Sequence, residues 1–161
     1  MPSKAEALLM LHIQADEQLR RWPWEREYRF GAVAAGGRGK GLRARLQAAG
    51  LRDWRFDVAL PELMLAVEVE GITHYGRNRN GSMALGRHQT AKGIEGDLQK
   101  YDAAMRLGWT VYRCSQHMVA SGRAVETIAV LVDQLALKRE AERTAETNYF
   151  HGSGGRQYEQ A

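Results

Sequence analysis

The chain has 161 residues and a mass of 18.1 kDa, enough for one domain with a true core. Its 23 Lys and Arg against 19 Asp and Glu give a formal net charge of +4 and a pI near 9.4. That balance excludes a strongly acidic protein that a polyanion would repel, and it leaves nucleic acid open as a partner. Cys114 is the only cysteine, which excludes an internal disulfide and a cysteine-built zinc site. It sits in an apolar strand pattern and reads as a small buried hydrophobe. The apolar run from Ala7 to Ile13 is interrupted by His12, too short to span a bilayer and without the flanks of a signal peptide. A cytoplasmic protein with no membrane partner is expected.

In chain order, residues 4–21 predict an amphipathic helix with Leu8, Leu11, Ala15 and Leu19 on its inner face and Pro23 beyond its end. Residues 27–30 form a short strand candidate. Gly31 to Gly41 carries glycines at 31, 36, 37, 39 and 41 with Arg38 and Lys40 among them, and reads as a flexible basic loop. A short helix over 42–49 is closed by Gly50. Trp54 to Leu60 alternates, with Phe56, Val58 and Leu60 on one side and Arg55, Asp57 and Ala59 on the other. Pro61-Glu62 marks a turn. Leu63, Leu65, Val67 and Val69 then alternate with Met64, Ala66, Glu68 and Glu70, so the two runs predict a β-hairpin.

Gly71 to Gly93 reads as a long loop rich in Gly, Asn and Arg. A helix from Ile94, striped by Leu98, Tyr101 and Met105, stops at Gly108. Trp109 to Cys114 is a third core strand, and 122–142 a further helix with Val125, Ile128, Val132 and Leu135 inward. One domain is thus expected over 1–143, followed by a polar tail over 144–161 that is mobile or engaged with partners.

The hairpin carries the chemistry. Glu68 and Glu70 are two residues apart on one strand and emerge on the same face, with Asp57 across from them on the paired strand. Like charges this close repel by about 1 to 4 kcal/mol per pair at effective dielectrics of 80 to 20. A protein that keeps such a cluster fills it with a cation, and hard oxygen donors suit Mg²⁺ or Mn²⁺. The alternative is a solvated sheet face, which explains most isolated Glu-x-Glu pairs. The apolar flanks, and a final Gly71 that allows close backbone approach, weigh against it.

The run Arg55-Phe56-Asp57-Val58-Ala59-Leu60-Pro61-Glu62, followed by Leu65-Ala66-Val67-Glu68-Val69-Glu70-Gly71, resembles the core of the PD-(D/E)XK nuclease superfamily. It is most similar to the branch of very-short-patch-repair endonucleases and small phage or prophage endonucleases. His74, the stretch with Asp97, Lys100 and Tyr101, and Gly108-Trp109-Thr110-Val111-Tyr112-Arg113 extend the resemblance over residues 27–119. It implies a restriction-endonuclease-like α/β fold, with one small mixed sheet flanked by helices. It implies that Asp57 and Glu68 bind the metal with the Val69 carbonyl as a further ligand, and that the protein is a Mg²⁺-dependent endodeoxyribonuclease. The position usually held by lysine is Glu70 here, and a carboxylate cannot supply that lysine's positive charge. Either Glu70 helps bind metal and orient water, or Lys100, with Lys92 as runner-up, takes the lysine's place; a dead pseudo-nuclease is the third alternative. His74 is a candidate base or phosphate contact, or a loop histidine bonded to backbone. Glu6, with Gln14 and Glu17 as rivals, is the candidate acid from the first helix, and Asp97 a polar neighbour on the second.

Arg38, Lys40, Arg43 and Arg45 on the glycine-rich segment, and Arg77, Arg79, Arg87 and His88 on the post-hairpin loop, are candidate contacts to a DNA backbone. Trp22 and Trp24 are candidates for base stacking, while Trp54 and Trp109 flank strands and read as core. The expected substrate is DNA, with Holliday junctions and other branched DNA as one class and paired sites in a homodimer as the accompanying assembly. A non-catalytic nucleic-acid-binding protein of the same fold and an RNA-directed nuclease are the alternatives.

Overall fold

The computed structural model describes residues 3–71, 76–77, 83–84 and 91–152. Its centre is a four-stranded mixed sheet in the order β1 (Glu25–Tyr28), β2 (Phe56–Leu60), β3 (Leu65–Glu70), β6 (Thr110–Ser115). The first three strands are antiparallel, and β6 runs parallel to β3 with Leu65 opposite Thr110 and Glu70 opposite Ser115. A parallel neighbour needs a long crossover, and α4 (Ala91–Arg106) lies within it. Two further two-residue strands, β4 (Gly76–Arg77) and β5 (Met83–Ala84), pair with each other. The chain is therefore a single-domain α/β protein, as expected.

A hydrophobic core lies on each face of the sheet. On one, Val58, Leu60, Leu65 and Val67 pack with α1 (Lys4–Ala15), α5 (Gln116–Ala120) and α6 (Arg123–Gly152). On the other, Ala59 and Ala66 pack with Phe30 of α2 (Phe30–Ala34) and with Ala103 and Ala104 of α4. The β3 alternation is thus as expected, with Leu65, Val67 and Val69 on the first face. Phe56 departs from it: its ring stacks on Phe30 at 4.2 Å and meets Trp109 at 5.0 Å, in the second core.

Several elements end where local chemistry stops them. α1 starts on Ser3, whose hydroxyl accepts from the Glu6 N–H, as in a capping box. It ends at Ala15 because Asp16 turns its carboxylate onto the N–H groups of Gln18 and Leu19 and begins a separate 3₁₀ turn, Leu19–Arg21. Leu9 and Ile13 are its buried residues, while Leu11 and Ala15 face outward; the inner face is shifted from the one read in the sequence. The first strand comes two residues earlier than expected. Phe30 instead opens α2, so part of the expected flexible loop is helical.

α3 (Leu42–Ala48) follows, and the guanidinium of Arg45 donates to the carbonyls of Ala35, Lys40 and Gly37 at 2.6–2.7 Å. Arg45 thus pins the glycine-rich turn to α3, a structural use beside the DNA contact expected of it.

α4 starts before Ile94 and ends at the left-handed Gly108, with Trp109 N–H on Ala104 O and Gly108 N–H on Met105 O, a Schellman closure. Three residues of its expected inner stripe, Ile94, Leu98 and Met105, are exposed, while the fourth, Tyr101, belongs to the packed face with Lys100, Ala103 and Ala104. Small residues let the helix approach the sheet, and the long Lys and Tyr side chains reach the carboxylates. α6 crosses the boundary expected at residue 143 and stays helical through Gly152, supported by pairs such as Arg143 with Glu140. No described helix is long and apolar enough to cross a membrane.

Gly31 marks the tightest backbone approach: a Cβ there would lie 2.0 Å from the Arg52 carbonyl oxygen. Gly31→Ala must push the strand-entry segment away and is expected to cost about 1–3 kcal/mol. Gly96→Ala, with open space around its would-be Cβ, is expected to stabilise α4 by about 0.4–1 kcal/mol. Urea unfolding of both variants checks the contrast.

Candidate functional site

The candidate site is built where the sheet opens. β2 and β3 pair from Leu60–Leu65 to Val58–Val67 and no further. The next residues in register are Asp57 and Glu68. There the Asp57 side chain takes over from the backbone: its Oδ2 accepts the Val69 N–H at 2.8 Å. The N–H and C=O of a strand residue point to the same edge, so the Val69 carbonyl also faces the β2 edge beside Asp57. On the other side of β2, Arg26 pairs with Val58 and Tyr28 with Phe56, skipping Glu27 and Asp57. Glu27 is one of two described non-glycine residues with positive φ, at 50°, and its carboxylate is held by Arg55 at 2.9 Å. Asp57 therefore sits at a point that both flanking strands leave open.

Glu68 projects toward α4 and is the only buried charged residue in the described core, at 7% exposure. Its Oε1 receives the Lys100 ammonium at 2.7 Å, with both side chains largely buried. Lys100 also lies 5.7 Å from the ring centres of Phe56 and Tyr101, so its charge is confined by aromatic walls. Glu70, two residues on, is held differently: Arg113 Nε donates to its Oε1 at 2.7 Å and Tyr101 Oη at 3.1 Å, with the Arg113 guanidinium 4.6 Å above the Tyr101 ring. Glu70 is thus tied to β6 and α4, away from the Asp57–Val69 junction. Among the described residues, no three Asp, Glu, His or Cys side chains gather into a metal-holding group.

Burial governs the electrostatics. It pushes the Glu68 carboxyl from its ordinary 4.5 up to about 7, against the pull of Lys100 and with a further push from Asp57. Burial likewise raises Asp57, against the Val69 hydrogen bond, and the carboxylates of Glu6 and Glu27 add to the rise. Tyr101 is raised by burial and by Glu68 and Glu70. Cys114 is a buried free thiol, raised to about 11 by burial, and its Sγ lies 3.7 Å from the Glu68 carbonyl.

The structure brings together Asp57, Glu68, Val69 and Lys100, with Glu70 alongside. It also adds two residues to which sequence reasoning gave no role at the site, Tyr101 and Arg113. Only strand pairing reveals Arg113, since Glu68 faces it across the parallel β3–β6 ladder. Among the described residues, the nearest atom to a Cβ at Gly71 would be the Gln116 amide nitrogen, at 3.8 Å.

Arg38, Lys40 and Arg43 are exposed, and Arg38 shares a cleft along the β1 edge with Glu27. Asp97 acts electrostatically on Arg113. His74, Arg79, Arg87 and His88 lie outside the described residues, as do the side chains of Arg77 and Lys92. Trp54 and Trp109 pack in the second core as expected, while Trp22 and Trp24 pack against the first. No family model, curated protein or solved structure matches the chain.

The Glu68–Lys100 pair predicts a pH-dependent stability. The fold raises the Glu68 pKa, so between about 4.5 and 7 the native state binds more protons than the unfolded chain. That contribution is fully present below this window and is lost as pH rises through it. In Glu68→Gln this part of the slope should vanish. Lys100→Met leaves a buried, unpaired carboxylate and is expected to cost about 3–5 kcal/mol at pH 8.5, with a smaller loss at pH 5 where Glu68 is protonated. Urea unfolding across pH checks both.

Proposed function

We propose that the chain is a metal-dependent DNA endonuclease of restriction-endonuclease-like fold, related to the PD-(D/E)XK superfamily that its hairpin resembles. The observation that carries this reading is the juxtaposition, at the opened end of β2 and β3, of two desolvated carboxylates, a backbone carbonyl and a buried lysine. Its donor set fits a hard divalent cation. Asp57 Oδ1 and Glu68 Oε2 carry no hydrogen bond among the described residues, and the Val69 carbonyl faces the same edge. Two carboxylates with water and substrate phosphate filling the remaining positions is how Mg²⁺ is usually held. When bound there, such an ion polarises a phosphodiester and lowers the pKa of a coordinated water.

The chain's own residues do the rest. Asp57 is aimed by the Val69 N–H, which fixes one oxygen and leaves the other for the ligand. Glu68 is oriented by Lys100. The Lys100 ammonium, arriving from α4, supplies the positive charge that Glu70 cannot, beside the place where a phosphate would acquire negative charge. Glu70, held by Arg113 and Tyr101, braces β3 against β6 and α4, which makes it a positioning residue in this reading. The exposed Arg38, Lys40 and Arg43 would follow the DNA backbone and make binding depend on salt.

A second reading, a non-catalytic nucleic-acid-binding protein, draws on one observation: Lys100 already gives Glu68 a cation at 2.7 Å, so the pair satisfies itself without metal. The two readings separate in a cleavage panel of supercoiled plasmid, a synthetic four-way junction, linear duplex and RNA, each with Mg²⁺, Mn²⁺ or chelator. Metal-dependent cleavage of DNA is expected, abolished in Asp57→Ala. Lys100→Ala should lower the cleavage rate far more than the affinity for DNA. Bound but uncut nucleic acid in every condition supports the second reading, and preferred cleavage of RNA makes the substrate RNA.

A further inference from the structure

A groove of about 680 Å³ opens on the α4 face of the molecule, between that helix and the segment leading into β2. It lies outside the carboxylate site, and its lining includes residues close in sequence to that site's Lys100. The wall on α4 is set by Gln99 and Ala103, which flank the Lys100–Tyr101 pair of the site. The other wall includes Trp54, three residues before Asp57 and thus within about 10 Å along the chain.

Trp54 is the aromatic residue of the lining. Its indole is nearly parallel to the buried Phe30 ring, with centres 6.2 Å apart at an interplanar angle of 10°. The Arg52 guanidinium lies over the Trp54 ring, 6.0 Å from its centre, so a base entering the groove meets it together with the indole. Gln47, Gln99 and the Asp102–Arg106 ion pair, at 3.9 Å, also line the groove. An aromatic ring with amide donors and acceptors and the Arg52 guanidinium beside it is complementary to one planar heterocycle attached to a phosphate chain. A purely apolar ligand would leave the amides and the Arg52 guanidinium unused.

We propose that this groove receives one unstacked base of a nucleic-acid strand whose phosphate backbone passes the Asp57–Glu68 site. The proposal rests on the nucleic-acid reading of that site. A base held against Trp54 would fix the strand's register relative to Lys100, because Trp54 packs against the second core, which also holds Ala103 and Ala104 of α4. Stacking is tolerant of base identity, so the groove selects unpaired nucleotides over paired ones and only weakly among sequences.

The test uses the full chain in excess chelator, with fluorescence anisotropy of two labelled strands of equal length: oligothymidine, and a deoxyribose-phosphate strand without bases. Oligothymidine is expected to bind about tenfold or more tightly than the abasic strand, and this ratio should fall toward one in Trp54→Leu. Ala49→Phe, made at an exposed groove position, fills the groove without touching the core and should also collapse the ratio, which keeps the test decisive if the Trp54 variant does not fold. Equal binding of the two strands by the unaltered chain, no binding of either, or a ratio unchanged in Ala49→Phe would overturn the proposal. Cleavage plays no part in the readout, so loss of nuclease activity with a retained base preference would sink the proposed catalysis and leave the groove standing.

Discussion

The arrangement around the hairpin depends on β2 and β3 parting one residue after the Val58–Val67 pair. In an uninterrupted ladder the Val69 N–H would be taken by backbone. Here the Asp57 carboxylate takes it, so a side chain performs the work of a strand, and the Val69 carbonyl is left facing the gap. β1 gives way at the same place, where Glu27 adopts a positive φ. An opening in a sheet is costly unless its polar groups are satisfied, and a mixed set of carboxylate, N–H, carbonyl and ammonium satisfies them while leaving oxygens for a ligand. The two apolar cores, one on each face, hold the strands on either side of this gap and so fix its shape.

The second constraint is burial. Glu68 stands in the core face of β3 where Ala66 precedes it, and its charge is tolerable there because Lys100 reaches it from α4. That explains why α4 packs with small residues and presents its larger apolar side chains to solvent. A helix packed by its Leu and Met stripe would turn Lys100 away from the sheet. The chain thus trades apolar burial on α4 for a paired charge at the site, a choice that ordinary stability does not favour and that function would.

Much of this was legible in the sequence. The period-two alternation of β3 identified the face bearing Glu68 and Glu70, and the hairpin followed from the Pro61 turn. Lys100 was singled out because a lysine was missing at residue 70, and it is the lysine that the fold brings to Glu68. The outward stripe of α4 was not legible: hydrophobic spacing assumes that the apolar side is buried, and here a buried carboxylate reversed it. The role of Arg113 was hidden because it depends on the parallel pairing of β3 with β6, a contact across more than forty residues, and that of Tyr101 because it depends on how α4 packs on the sheet. The role of Arg45 was hidden for a different reason. A basic residue in a glycine-rich segment reads as a ligand contact, whereas the carbonyls turned inward by the left-handed glycines claimed it.

The central claim is that the opening at Asp57 and Glu68 is a site for a divalent cation. Titration of the full chain with Mn²⁺, followed by the loss of the free-ion electron paramagnetic resonance signal in the absence of nucleic acid, tests it most directly. The account predicts saturable binding that Asp57→Asn and Glu68→Gln each weaken strongly, while Cys114→Ala leaves it intact. Mn²⁺ binding that is absent at millimolar metal, or indifferent to both carboxylate substitutions, would contradict it.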